Sequence, residues 1–487
     1  MRIAIIGAGL AGLTTAVELR RRAADAHIDV FEATDRLGGK LFTAAFASGP
    51  TDVGAEAFIA RRADAREFFD SLGLGDSVVS PSGLRSLIYS GGETKPLPAG
   101  GMMGIPSTSA PVAHLVSAET CARIDAEGSS AGIEWQVGQD VAVGELVAQR
   151  YGAEVVDRCV SALLGGVYSC TAYDLGLRAT VPALAESLDA LAEAGEPVTL
   201  SAAVARLEAA RAEQMKAAAA ARAAAEATSG AAEAAEAPAK PAPIFGAFRG
   251  GYAELYEALA EHSGADIYVD SFISGITGQA GKWQVTGGGE AAQQPYDLLV
   301  LATPAPTTAM LLKQAAPAVA AALAPVKLAD SVVVAMKFDS DAGLPDNSGV
   351  LIATDEPGVY TKAFTFSSKK WPHLGQRGGA LVRASFGRFG DTTALRTDED
   401  TLVDWALDDL KTITGFDGRA AGLSEIYTQR WFGGLPRYGA DHLATVATVR
   451  RELGAVPGLE LTGAWAGGVG VPAVIADARA CAARLLG

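Results

Sequence analysis

The strongest constraint on what this chain can fold into sits in its first 32 residues. Residues 2–6 form a short apolar run, Gly7-Ala8-Gly9-Leu10-Ala11-Gly12 is a glycine turn, 12–23 carry apolar positions at helical spacing, and HIDVFE at 27–32 is a second apolar run. That order reads strand, turn, helix, strand, the opening of a parallel α/β sheet. The turn has its own chemistry. Glycines let the backbone bend tightly and approach a diphosphate, the helix N-terminus directs its amides at the anion, and a carboxylate about 20 residues on accepts from a ribose hydroxyl. Glu32 follows Gly12 by 20 residues, at the end of the second strand. A turn that served shape alone has no use for that acid, so the segment predicts dinucleotide binding. Arg2 ahead of an apolar stretch also has the outline of a secretion signal, and the glycine spacing argues against that reading.

Composition narrows the partners. A chain of 487 residues with 49% apolar side chains can fill two or three cores. Forty basic against 56 acidic side chains leave a formal charge of −16, which argues against nucleic acid or an anionic membrane as a general partner. An anionic substrate therefore requires a local basic pocket. Cys121, Cys159, Cys170 and Cys481 form no C-x-x-C pair and the five histidines show no ligand spacing, so reduced core thiols and no metal are expected. No apolar run reaches about 18 residues, and MMGIPS at 102–107 is only mildly apolar. These features predict a soluble, cytoplasmic protein without stable membrane insertion.

Organisation along the chain points to a divided fold. Residues 201–244 are dominated by alanine with Glu, Arg and Lys and run through APAKPAP, predicting a surface helix followed by a flexible linker. Beyond them GGYAELYEALAEH reads as a helix, and ADIYVDSFISGI, KWQVTGG and YDLLVL read as strands. A strand-rich block in mid-chain implies that the first domain is completed by later segments.

Glu32-Ala33-Thr34-Asp35-Arg36-Leu37-Gly38-Gly39-Lys40 resembles the E-x-x-x-R-x-G-G stretch of the FAD-dependent amine oxidase superfamily. Six later stretches, at 52–74, 95–107, 165–184, 245–259, 364–373 and 430–442, resemble in the same order the oxygen-dependent coproporphyrinogen III oxidase and protoporphyrinogen oxidase family of the soluble Gram-positive type. The resemblance implies an α/β fold of amine oxidase, or p-hydroxybenzoate hydroxylase-like, topology. It implies a discontinuous Rossmann-like FAD-binding domain from 1–78, 245–303 and 430–487, and a substrate-binding domain of mixed sheet and helices from 79–200 and 304–429.

The same resemblance assigns residues. Non-covalent FAD would be held by Gly7, Ala8, Gly9, Leu10, Ala11, Gly12, Glu32 and Ala33, with Arg36, Gly39 and Lys40 near the phosphates. Gly54, Ala55, Glu56 and Ala57 would run along the flavin, Ile273 would meet the adenine side through its backbone, and Trp431 would pack near the isoalloxazine. The amine oxidase branch often carries a cysteine in its C-terminal loop for covalent flavin attachment, and the loop here has none. Arg62 matches a basic position that faces a substrate propionate, with Arg61 and Arg85 as further candidates. The backbone of Gly166, in a Gly-Val-Tyr turn, would face the pyrrole N–H groups, although the acidic residue usual after that turn is absent from Ser169-Cys170.

A second glycine loop lies near the end, where Leu461 closes a strand and Val471-Pro472 opens a helix. Too little chain remains for a second ribose acid, so Val469, Gly470 and Val471 are read as bringing the positive end of a helix dipole to the flavin's pyrimidine edge. The implied activity is oxidation of coproporphyrinogen III to coproporphyrin III by O2, releasing H2O2, in haem biosynthesis, with transient handover to a downstream haem-pathway enzyme. Protoporphyrinogen IX oxidation, a flavin amine oxidase or carotenoid desaturase, and a porphyrin-binding flavoprotein without turnover stay open at this point.

Overall fold

Ile3, Ala4 and Ile5 have no solvent exposure, which a strand achieves only when both faces of its sheet are covered. The computed structural model, which describes residues 1–228, 243–279 and 281–487, places them at the centre of a five-stranded parallel sheet. Its order is Asp266–Tyr268, His27–Phe31, Arg2–Ile6, Leu298–Leu301, Leu459–Leu461. Alternate residues feed two cores. Ile3, Ile5, Ile28 and Val30 pack with Leu13, Leu255 and Ile475 from helices Leu10–Arg22, Ala253–Ser263 and Val471–Leu486. Ala4, Ile6, Phe31 and Leu301 pack on the other side with Trp283, Leu312, Val319 and Val449.

The chain divides into two compact units, Met1–Ser86 with Pro243–Val350 and Gly358–Gly487, and Leu87–Ala242 with Leu351–Pro357. Residues 1–78, 245–303 and 430–487 all fall in the first unit, and so does 304–429 apart from 351–357. The run 265–276, read as one strand, is two. Asp266–Tyr268 joins the parallel sheet, Asp270 turns the chain at φ 50°, and Ile273–Gln279 pairs antiparallel with Lys282–Gly287.

A second sheet in the first unit sets Leu328–Phe338 antiparallel between Ala380–Phe386 and Leu423–Pro436. A small hairpin, Thr43–Phe46 with Gly49–Asp52, serves a helix that lies 200 residues further on. Helix Ala253–Ser263 has no side-chain cap of its own. Thr43 Oγ1 accepts from Ala253 N at 2.9 Å and Asp52 Oδ1 accepts from Tyr252 N at 3.0 Å, while Thr43 Oγ1 donates to Asp52 Oδ1 at 2.6 Å. Gly251 must be glycine for this approach, because at φ 81° a Cβ would lie 2.7 Å from Thr43 Cγ2. Thr43→Val keeps the shape and removes the acceptor, so the denaturant midpoint should fall by the equivalent of about 1–2 kcal/mol with an unchanged slope. An unmoved midpoint would mean that the remote cap contributes nothing.

The second unit carries the hairpin Leu87–Ser90 with Glu93–Pro96 and helices that include Ala118–Ala126, Val143–Tyr151, Ser161–Tyr168 and Pro182–Glu193. The alanine-rich segment forms helix Leu200–Thr228, and residues 229–242 of the expected linker lie outside the described residues. Buried Glu127 holds the start of that helix, accepting from Leu200 N and Ser201 N at 2.8 and 2.9 Å and pairing with Arg150 at 2.7 Å. Among the described residues no helix is long and apolar enough to cross a membrane.

Candidate functional site

Gly7 leaves the central strand at φ 105°, and a Cβ there would sit 2.9 Å from Ala302 O. Gly12 is tighter still, since its Cβ would meet Gly7 O at 1.9 Å. Gly9 opens helix Leu10–Arg22 without any side-chain cap, so the amides of Leu10, Ala11 and Gly12 are left for an external anion. The stretch after Glu32 folds back over this loop: Gly38 N donates to Ala8 O at 3.0 Å, and the Cβ position of Gly9 lies 3.6 Å from Gly39 Cα. Glu32 sits at the mouth, its Oε2 accepting from Ala8 N at 2.9 Å and its Oε1 from Thr34 N at 3.0 Å, with exposed Ala33 between. Ser271 N donates to Glu32 O at 2.7 Å, which brings the segment leading to buried Ile273 beside the acid.

Arg36 is not a solvated surface charge. Its guanidinium donates to the carbonyls of Leu37, Gly39 and Leu41 at 3.1, 2.9 and 3.2 Å and lies 4.4 Å from the Phe42 ring centroid. Lys40 Nζ donates to Phe432 O at 3.1 Å and stands 5.6 Å from the Trp431 ring. Burial, then the neighbouring Arg36 charge, lowers the Lys40 ammonium from its ordinary value.

Residues 54–57 are clamped from both sides. Buried Trp431 donates through Nε1 to Val53 O at 3.0 Å, and its Cζ2 lies 3.2 Å from where a Cβ on Gly54 would be. Arg383 donates to Gly54 O at 2.7 Å. Between Ala55 and Ala57, the Glu56 carboxylate accepts from Ser367 Oγ at 2.5 Å and Lys370 Nζ at 2.7 Å, with Arg383 at 3.6 Å. Burial alone would raise this carboxyl, but the Lys370 and Arg383 charges and the two hydrogen bonds bring it down to about 2. Ser367, Lys370 and Arg383 were not foreseen as site residues; the only local signal was a Lys-Lys pair inside FTFSSKKWPH. A small, partly open cavity lined by Asp52, Glu56, Ser367, Trp371 and His373 adjoins this network, and burial lifts the Asp52 carboxyl to about 6.

The C-terminal loop delivers a second bare helix end. Gly470 opens helix Val471–Leu486 after Val469, again with no side-chain cap, and its carbonyl accepts from Ala473 N and Val474 N at 2.9 and 3.0 Å. Glycine surfaces that a Cβ would fill, two helix N-termini without side-chain caps, an acid at the first and a cation fixed by backbone carbonyls together fit a dinucleotide ligand.

The substrate candidates sit differently. Arg62 precedes helix Ala63–Ser71 and is exposed, with Nε and a terminal nitrogen on Asp64 at 2.8 and 2.5 Å. Arg61 and Arg85 are also exposed in the first unit, and Arg85 O accepts from Ser348 N at 3.1 Å. Gly166 belongs to the second unit and corrects an expectation, for it lies in the last turn of helix Ser161–Tyr168 and not in a loop. A π-helical turn, Val156–Val160, leads into this helix and Ser169 ends it at φ 51°, so the Gly-Val-Tyr carbonyls are those of a helix C-terminus.

Residues 10–486 match the family of flavin containing amine oxidoreductases, and the chain belongs to that family. A flavin is accordingly the cofactor this fold carries. The coproporphyrinogen III oxidase of Mycobacterium tuberculosis is 38% identical over 482 residues, covering 97% of this chain and 95% of the relative. That of Propionibacterium freudenreichii is 32% identical over 497 residues, covering 98% and 89%. A solved structure from Exiguobacterium sp. 255-15, described as a candidate protoporphyrinogen oxidase, superposes with a TM-score of 0.82 at 23% identity, covering 99% of this chain and 98% of that one. At that identity the likeness speaks for the fold.

Proposed function

We propose that this chain is an FAD-dependent oxidase that converts coproporphyrinogen III to coproporphyrin III, passing electrons to O2 and releasing H2O2, in cytoplasmic haem biosynthesis. The observation that carries the reading is likeness along nearly the whole chain to proteins named coproporphyrinogen III oxidase. FAD is favoured over a shorter flavin because Gly7, Gly9, Gly12 and Glu32 make a diphosphate-and-ribose site. The reading that the flavin is held without a covalent bond is supported by a C-terminal loop without cysteine and by Cys481 being buried inside helix Val471–Leu486, where burial pushes its thiol far up.

When bound, FAD supplies the two-electron acceptor for hydride leaving a bridging carbon of the macrocycle. The chain's own part is to hold and orient. In this reading residues 7–12 and Glu32 hold the diphosphate and ribose, and residues 54–57, fixed by Trp431, Arg383 and the Glu56 pairs, give the ring a rigid backbone rail. The Val471 helix N-terminus presents positive potential where negative charge would gather. Gly166 offers helix C-terminal carbonyls to pyrrole N–H groups, so no strong side-chain base is required. FAD is assigned to the first unit and macrocycle binding draws on 79–200 and 304–429, with the product passed to a downstream haem-pathway enzyme.

The substrate carries four propionates, and Arg62 is our first candidate to meet one, with Arg61 and Arg85 beside it. Because Asp64 already occupies two of its donors, two variants bear on the question. Arg62→Ala should raise the apparent KM for a tetra-propionate porphyrinogen by roughly tenfold and for a di-propionate one far less, since a charge-assisted hydrogen bond is worth about 1.5–3 kcal/mol. Asp64→Asn should lower it. Equal effects on both substrates would leave Arg62 as nothing more than a local pair.

The reading as a whole is tested with purified protein in air, given coproporphyrinogen III and protoporphyrinogen IX separately while porphyrin fluorescence and H2O2 are followed. Fluorescence above autoxidation with the first substrate, and FAD released by acid, are expected. Preference for the second substrate would move the assignment to protoporphyrinogen IX, and H2O2 formed only with amines would move it to amine oxidation.

A further inference from the structure

One group of side chains lies at the opposite end of the parallel sheet from the glycine loop and takes no part in the reading above. His27 and Asp29 are two apart in strand His27–Phe31, and Asp266, first residue of the neighbouring parallel strand, is the register partner of Asp29. Residues two apart, and residues directly paired across a sheet, share a face. The side chains do meet: His27 Nε2 is 3.0 Å from Asp29 Oδ1 and 3.7 Å from Asp266 Oδ2.

Asp29 is completely buried. Its Oδ2 is saturated by Arg2 at 2.8 Å and Tyr296 OH at 2.9 Å, and Tyr268 faces it from the adjoining strand. Its Oδ1 is buried and makes no well-aligned hydrogen bond, His27 Nε2 at 3.0 Å being its neighbour in the gap shared with Asp266. A buried carboxylate oxygen with only a poorly aligned imidazole nitrogen beside it recovers little of the hydration it has lost. A cation in the gap would correct that.

We propose that His27 Nε2, Asp29 Oδ1 and Asp266 Oδ2 bind a divalent transition-metal ion of the zinc, cobalt or nickel type. Metal–ligand bonds of about 2.0–2.2 Å at tetrahedral angles separate neighbouring ligand atoms by roughly 3.3–3.6 Å, and the two measured separations straddle that range. The third pair of donor atoms lies within 4.8 Å, and the exposed Asp266 side chain can close it. One imidazole with two carboxylates suits these ions, whereas calcium needs six to eight oxygens that this rim does not supply. Arg2 and Tyr296 hold the ligating carboxylate from behind, as outer partners commonly do. The bound ion would fasten the three-residue edge strand Asp266–Tyr268, whose continuation runs to Ser271 against Glu32.

The test uses untagged, full-length, flavin-loaded protein, cleared of metal with a chelator and titrated with Co2+. A four-coordinate cobalt band should appear beside the flavin spectrum, disappear on adding Zn2+, and be weakened about tenfold or more in both His27→Gln and Asp266→Asn. Asp266 is exposed, so the second variant leaves the core intact. No cobalt band in the wild type, or a band that survives in both variants, overturns the proposal.

Discussion

Gly12→Ala is expected to yield protein without flavin. The added Cβ would lie 1.9 Å from Gly7 O and 3.2 Å from Ala302 Cβ, so the turn and the helix must separate by more than 1 Å to admit it. Overpacking of this kind costs about 1–3 kcal/mol or more, and it falls on the backbone proposed to hold the diphosphate. The variant should purify in lower yield, lack visible flavin absorbance per mole of chain, and fail to recover it with added FAD. Gly166→Ala is the control, because a Cβ there would only touch Leu351 Cδ2 at 3.6 Å, and it should keep its flavin. Stoichiometric flavin in Gly12→Ala would show that this loop is not the cradle.

The second large effect belongs to Glu56. Its carboxyl sits at about 2, well below the usual range, so it stabilises the fold fully above about pH 4.5 and progressively less as pH falls from there toward 2. A displacement of that size corresponds to about 3 kcal/mol. Glu56→Gln keeps the shape and the Ser367 hydrogen bond but leaves Lys370 and Arg383 facing each other uncompensated, for which a loss of about 3–5 kcal/mol is expected at neutral pH. The gap between wild type and variant should close on acidification, and Lys370→Met should recover part of it in the variant background. A gap of the same size at pH 7 and at pH 3 would refute the assignment.

What could be read in the sequence was local. The strand, glycine turn, helix and Glu32 fall within one stretch of chain, where spacing carries geometry directly, and the observed elements Arg2–Ile6, Leu10–Arg22 and His27–Phe31 follow it closely. The C-terminal turn into helix Val471–Leu486 was legible for the same reason. Partners far apart in sequence were not. Glu56 needs Lys370 and Arg383, and helix Ala253–Ser263 needs Thr43 and Asp52, pairings set by tertiary packing that no spacing records. The helical state of Gly166 was missed because two glycines suggest a turn, whereas Val155, Val156, Cys159, Val160 and Leu164 just before them are buried at helical spacing and carry the helix through the glycines.

The sheet order has a consequence for synthesis. The central strand Arg2–Ile6 is made shortly before its neighbour His27–Phe31, yet its other neighbour, Leu298–Leu301, and the strand beyond, Leu459–Leu461, come far later. At about 5–20 residues per second the last of these is made roughly 25 to 90 s after the first. Through that interval one edge of an apolar strand stays open to wrong partners. The second bare helix end, Val471, emerges later still, and on the proposed reading that it faces the flavin, cofactor capture has to wait for it. Arrested ribosome complexes of increasing length should therefore retain flavin only when the arrest point lies beyond the terminal helix, and retention by chains stopped before Leu459 would contradict this order.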